Sequence, residues 1–115
     1  MKKNILLPVD FSAHSNNAVN YAVDLAVQKA YSIHLYHNYT SASAVFEEET
    51  DSIGKRTSIF KADILIENLA EQIKSTNPAL EVTSQCERGM ITETLPDIAT
   101  PDRFDFVIMG TKGIT

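Results

Sequence analysis

Asp105-Phe106-Val107-Ile108-Met109-Gly110-Thr111-Lys112-Gly113-Ile114-Thr115 is the stretch whose reading decides the fold. Phe106 to Met109 is an unbroken apolar run, the pattern of a strand buried on both faces of a parallel sheet. It stops at Gly110-Thr111-Lys112-Gly113, which holds two of the four glycines in the chain. Glycines here allow positive φ and let a ligand approach bare main chain. A strand that runs into such a loop marks the ligand edge of an open α/β sheet, where a following helix turns its first N–H groups toward an anion.

Working back from that stretch, a second strand-to-loop junction stands near the N-terminus. Ile5 to Val9 reads as a short buried strand with Pro8 near its end, where a ladder N–H can be given up. Asp10-Phe11-Ser12 makes the turn, and Ser12 is placed to cap a helix over 12–30. Val19, Ala22, Val23, Ala26 and Ala30 recur at helical spacing, small enough to lie close on a sheet. Residues 32–38 form a more polar second strand. Residues 40–52 have no clear period and carry the acidic run Glu47-Glu48-Glu49, which reads as a solvated surface connection.

Ile59, Ala62, Ile66, Leu69 and Ile73 predict an amphipathic helix to about Lys74, ended by Ser75-Thr76-Asn77-Pro78. Leu80, Val82 and Cys86 alternate with polar residues, as in a half-exposed edge strand. After Gly89, Ile91, Leu95 and Ile98 predict a third helix with a kink or a late start at Pro96. Strand and helix alternate throughout, which predicts a parallel sheet with right-handed crossovers and helices on both faces.

The bulk properties fit one domain of 115 residues, with 43% hydrophobic and 22% charged residues. Ten basic against fifteen acidic residues give a net charge of −5, and no basic stripe with interleaved aromatics argues for nucleic acid. The apolar run Ile5-Leu6-Leu7 is too short for a membrane span or a signal peptide, so a cytoplasmic protein is expected. Cys86 is the single cysteine, which excludes an internal disulfide, and it reads as a small buried hydrophobe. His14, His34 and His37 fall on different elements, and no metal site is expected from them. No Ser-His-Asp or Cys-His arrangement and no carboxylate pair stands out.

Pro8-Val9-Asp10-Phe11-Ser12, the strand end His37-Asn38-Tyr39 and the closing run Asp105 to Gly113 together resemble the universal stress protein family. The resemblance spans essentially the whole chain, and the closing run is its most specific part. It implies a Rossmann-like open parallel sheet of the adenine nucleotide alpha hydrolase-like type, with strand order 3-2-1-4. The domain 1–115 would be incomplete at its C-terminus, with the fourth helix and fifth strand absent. Phe106 to Met109 would then lie on an open sheet edge that pairs with a second copy or a second similar domain.

In ATP-binding members of the family the phosphates lie over G-x-x-G, nine residues, then G-[ST]. Carried over, Pro8, Val9 and Asp10 would meet the nucleoside. Asn38 would give the second-strand main-chain contact, where the family more often has an aliphatic residue. Met109, Gly110, Thr111 and Gly113 would open the phosphate loop, whose distal G-[ST] the sequence does not include. The implied ligand is ATP, with Mg²⁺ on the phosphates, and at most slow hydrolysis. The alternative is an interaction scaffold of the same fold that takes no nucleotide. A nucleotidyl-transfer enzyme would need glycines straight after the first strand, and Val9-Asp10-Phe11-Ser12-Ala13-His14 has none. Asp10 also has a plain structural reading, as a brace for the start of the first helix.

Overall fold

The structure, a computed structural model, describes residues 3–39 and 61–110. The element order is β1 (Asn4–Pro8), α1 (Ala13–Lys29), β2 (Ser32–Tyr39), α2 (Lys61–Thr76), β3 (Val82–Arg88), α3 (Ile91–Ile98) and β4 (Phe106–Val107). The strands form one parallel sheet in the order β3-β2-β1-β4, as the resemblance implies. The acidic run at residues 47–49 and Ile59 lie outside the described residues.

Period-two alternation divides the sheet into two faces. Ile5 and Leu7 pair with Ile33 and Leu35, and all four point at α1 and α2, where they meet Ala22, Ala26, Ile66 and Ile73. Leu6 and Tyr36 point the other way and pack on Leu95, Ile98 and Phe104 from α3 and the turn after it. Ala22 and Ala26 are fully buried, so the small residues let α1 settle close on the sheet. Helix α1 begins at Ser12, whose hydroxyl accepts from Ser15 N at 3.2 Å, and closes at Ala30 in the left-handed conformation.

Helix α2 buries Ala62, Ile66 and Ile73 of the predicted stripe, with Leu69 at its margin, and Ala70 beside them. Its end is satisfied locally: Asn77 N and Nδ2 both donate to Ile73 O, at 2.9 and 3.2 Å, just ahead of Pro78. Strand β3 pairs on one side with β2 and is an edge of the described sheet, as its alternation predicts. Cys86 is half-buried against the core. Burial first, and then the Asp63 carboxylate, push its thiol to about 12, so it stays protonated and packs as an apolar group.

Two expectations need correction. Helix α3 starts at Ile91, ahead of Pro96, and runs through it, so there is no late start. The helix ends soon after the proline, and Ala99 N still reaches Leu95 O at 2.8 Å, so little of the ladder is lost. The run Phe106 to Met109 is not buried on both faces. Phe106, Val107 and Met109 are 39%, 44% and 40% exposed. Among the described strands β4 has a neighbour on one side, and Phe106 stacks on Tyr31 with ring centroids 5.5 Å apart while remaining half-exposed. The strand is an open apolar edge of the described sheet.

Leu35 is fully enclosed between the sheet and the helices. Leu35→Ala is expected to lower unfolding stability by about 2–5 kcal/mol in urea denaturation, the cost of lost burial plus a cavity.

Candidate functional site

The order β3-β2-β1-β4 means that the chain winds to one side after β1 and returns to the other side for β4. A crevice forms at the C-terminal ends of the strands at such a reversal. Here the turn after β1 is tightly tied. Val9 N donates to Tyr36 O at 2.9 Å, one residue past the strand. Asp10 N then donates to Ser15 Oγ at 3.1 Å, and Asp10 Oδ1 accepts from Ser12 N at 3.0 Å. Ser15 is 4% exposed, so the turn closes on a buried hydroxyl.

Between these bonds Phe11 takes φ +64, a left-handed backbone that a bulky residue rarely adopts. Its ring lies 4.8 Å from that of His37, tilted by 59°. His37 Nδ1 is 2.8 Å from Val9 O. A carbonyl can only accept, so Nδ1 carries the proton and the ring is held in one tautomer.

Hydrogen bonding by Ser12, first through its side chain and then through its backbone N–H, lowers the pKa of Asp10. The N-cap itself is Ser12, so Asp10 braces the turn and leaves the capping to its neighbour.

On the other side of β1, Ile108 N donates to Leu6 O at 3.0 Å and carries the chain past β4 to Gly110. A Cβ on Gly110 would stand 2.1 Å from His14 O and 2.8 Å from Ser15 N. The lack of a side chain here is a packing requirement: the outgoing chain rests directly on the first turn of α1.

The two turns enclose a cleft of about 220 Å³ lined by Pro8, Val9, Asp10, Ser15, Asn38, Met90, Ile91, Met109 and Gly110. Pro8, Val9, Asp10, Asn38, Met109 and Gly110 are thus brought together from three separate segments. Thr111 and Gly113 lie outside the described residues. Ser15, Met90 and Ile91 were not singled out from the sequence. Gly89, just ahead of the last two, was the sequence signal available for them, and it takes φ +130 in the fold. A larger groove of about 610 Å³ runs between α1 and α2, away from the strand ends where the predicted residues gather.

Asn38 forms the cleft wall on the β2 side. Its Nδ2 donates to Thr94 Oγ1 at 2.9 Å, with longer bonds to Tyr36 OH and Glu87 O at 3.4 Å. Tyr36 OH donates in turn to the Glu87 carboxylate. Burial, and then that bond, raise the pKa of Tyr36, so the phenol stays neutral. Among the described residues no cluster of His, Cys, Asp and Glu could hold a metal ion, and no helix is long and apolar enough to cross a membrane.

The family model "Universal stress protein family" matches residues 1–115. The chain belongs to this family. Among solved structures, this universal stress protein is similar to the universal stress protein UspA from Lactobacillus plantarum, at 18% identity and a TM-score of 0.72. That match covers 98% of this chain and 79% of the other. It is 27% identical to the hypothetical protein MJ0577, subject of a structure-based assignment of biochemical function, with a TM-score of 0.68 and 99% and 78% covered. A universal stress protein in complex with cAMP aligns at 15% identity and a TM-score of 0.65, with 93% and 75% covered. No curated protein sequence gives a significant match.

Two measurements check this geometry. Gly110→Ala is expected to cost about 1–3 kcal/mol in thermal or urea unfolding, because the added methyl meets helix backbone that cannot rotate away. Asp10 is expected to titrate below the usual aspartate range by carboxyl NMR, and Ser12→Ala to move it back up. The sign follows from the lowered folded-state pKa: this contribution to stability is present above the unfolded-state pKa of Asp10 and is lost as pH falls through the folded one.

Proposed function

We propose that this universal stress protein is a cytoplasmic stress-response regulatory domain that binds an adenine nucleotide at the ends of β1 and β4. The observation that carries the reading is the gathering of Pro8, Val9, Asp10, Asn38, Met109 and Gly110 around one cleft at the point where the winding reverses. Its volume of about 220 Å³ is below the roughly 300–1,000 Å³ usual for drug-sized ligands, which suits a base and ribose with the phosphates outside.

Pro8, Val9 and Met109 supply apolar walls for the base, and the Asn38 main chain lies at its edge. The Asp10 carboxylate is placed to accept hydrogen bonds from ribose hydroxyls. Gly110 opens the phosphate loop, which the family resemblance extends to Thr111 and Gly113, and Mg²⁺ would be held by the phosphate oxygens. ATP is the ligand expected from the family, and the cAMP-bound relative supports the same base class.

The reading is of binding rather than rapid turnover. Asp10 is the one ionisable side chain among the lining residues, and its lowered pKa makes it a weak general base near neutral pH. Nucleotide would then act by favouring one arrangement of the two turns over another.

A second reading, a scaffold that pairs with another copy or a similar domain, is favoured by the half-exposed Phe106, Val107 and Met109 on the β4 edge. Calorimetric titration of ATP, AMP and cAMP separates the two. Binding is expected, and Asp10→Ala is expected to weaken it by about 1.5–3 kcal/mol, the worth of hydrogen bonds to a charged group. Absence of binding by every nucleotide, with self-association in sedimentation, would replace the first reading by the second.

A further inference from the structure

Parallel strands bond in a fixed rhythm, in which the N–H and C=O of every second residue face the same neighbour. On β2 the main-chain bonds show which residues face which way. Ser32 N donates to Lys3 O and Tyr36 O accepts from Val9 N, both at 2.9 Å. Ile33 N donates to Glu81 O and Tyr39 O accepts from Gly89 N, again at 2.9 Å. Even-numbered residues of β2 thus face β1 and odd-numbered ones face β3, so Asn38 turns its N–H and C=O toward β1.

By this rhythm the next bond of the β1–β2 ladder would run from Asn38 N to Val9 O. Among the described residues that bond does not form. Val9 O is held instead by His37 Nδ1 at 2.8 Å. The His37 side chain stands on the α1–α2 face of the sheet, where Ile33 and Leu35 also point, and so lies out of the line of the ladder. The chain then leaves the sheet through Phe11, whose positive φ and ring contact keep it beside the same imidazole. A side chain has ended the ladder one bond early. Asn38 lines the cleft beside Pro8 and Val9, whereas His37 and Phe11 do not.

Resting on the nucleotide reading above, we propose that His37 is a positioning residue, which holds the Val9 carbonyl away from the ladder and so keeps the Asn38 N–H for the base. A ring nitrogen of the base accepts from that N–H, in the place of the bond that Val9 O would have made. His37 acts through the main chain and makes no contact with the ligand. A purely structural histidine would affect stability without changing which acceptor the Asn38 N–H meets.

The test follows the Asn38 amide by NMR hydrogen exchange on the full chain, beside calorimetric titration of adenosine, which carries no phosphate. In the wild type the amide is expected to exchange freely without ligand, and about tenfold or more slowly with saturating adenosine. His37→Phe keeps a ring beside Phe11 and removes the donor to Val9 O. The Asn38 N–H is then expected to close onto Val9 O. Its amide becomes protected without ligand, and adenosine binds about threefold to tenfold more weakly, the worth of one hydrogen bond. His37→Asn returns a side-chain N–H close to the place of Nδ1, and is expected to restore both readings.

An Asn38 amide already protected in the ligand-free wild type overturns the assignment. So does adenosine binding that leaves this amide exchanging freely. A folded His37→Phe that keeps either the wild-type exchange or the wild-type affinity overturns it as well. If His37→Phe does not fold, the two wild-type exchange measurements decide the matter without it. Failure of both adenosine and ATP to bind would instead remove the nucleotide reading itself, and this inference with it.

Discussion

The main-chain bonds that hold β4 beside β1, Asp105 N to Asn4 O at 2.9 Å and Ile108 N to Leu6 O at 3.0 Å, place everything that follows in the cleft. The ladder between them is short, with Ile5 opposite Phe106 and Leu6 opposite Val107. Its N-terminal end is reinforced by Asn4 N donating to Asp105 Oδ2 at 2.8 Å. Its other end is fixed sterically, because Gly110 rests on the His14 carbonyl with no room for a side chain. Two turns that are far apart in sequence are thereby held as facing walls, with little freedom to drift.

The wall formed by the β1–α1 turn is held by local polar bonds around a strained centre. Phe11 keeps a positive φ, a conformation that costs of order 1–3 kcal/mol for such a residue. The offset comes from its contact with His37 and from the bonds that join Asp10, Ser12 and Ser15. A turn specified by so many small contacts presents the Asp10 carboxylate in one place. The Ser12 bonds within this set also lower the pKa of that carboxylate.

The second wall belongs to the more polar face of the sheet. On β2 the residues facing the α3 side are His34, Tyr36 and Asn38, and on β3 they are Thr83, Gln85 and Glu87. Helix α3 covers Leu6 and Tyr36 but leaves much of the rest half-open. The strands answer with cross-strand hydrogen bonds. His34 contacts Thr83 Oγ1 at 2.7 Å and Gln85 Oε1 at 2.9 Å, and Tyr36 bonds the Glu87 carboxylate. In this ladder of pairs Asn38 is the member that reaches the cleft, and its oxygen is left unmatched.

The alternation of apolar runs with helical stripes was enough to establish a parallel α/β sheet, since burial and backbone geometry impose those two periods directly. Ser12 as the cap of α1 and the edge character of β3 were legible for the same reason: each is a local consequence of residue type and spacing. The segments Pro8 to Asp10, Asn38 and Met109 to Gly110 stood out through glycine, proline and turn chemistry, together with the family resemblance. What residue order could not express was adjacency. It did not tell that Gly110 is required by the backbone of α1, or that Met90 and Ile91 complete the cleft. Nor did it reveal that Phe106 and Val107 lie half-exposed, because an apolar run reports affinity for burial and only the neighbouring elements decide whether burial is granted. The orientation of the Asn38 amide is of the same kind, fixed by oxygens from β2, β3 and α3 that meet nowhere but in the folded chain.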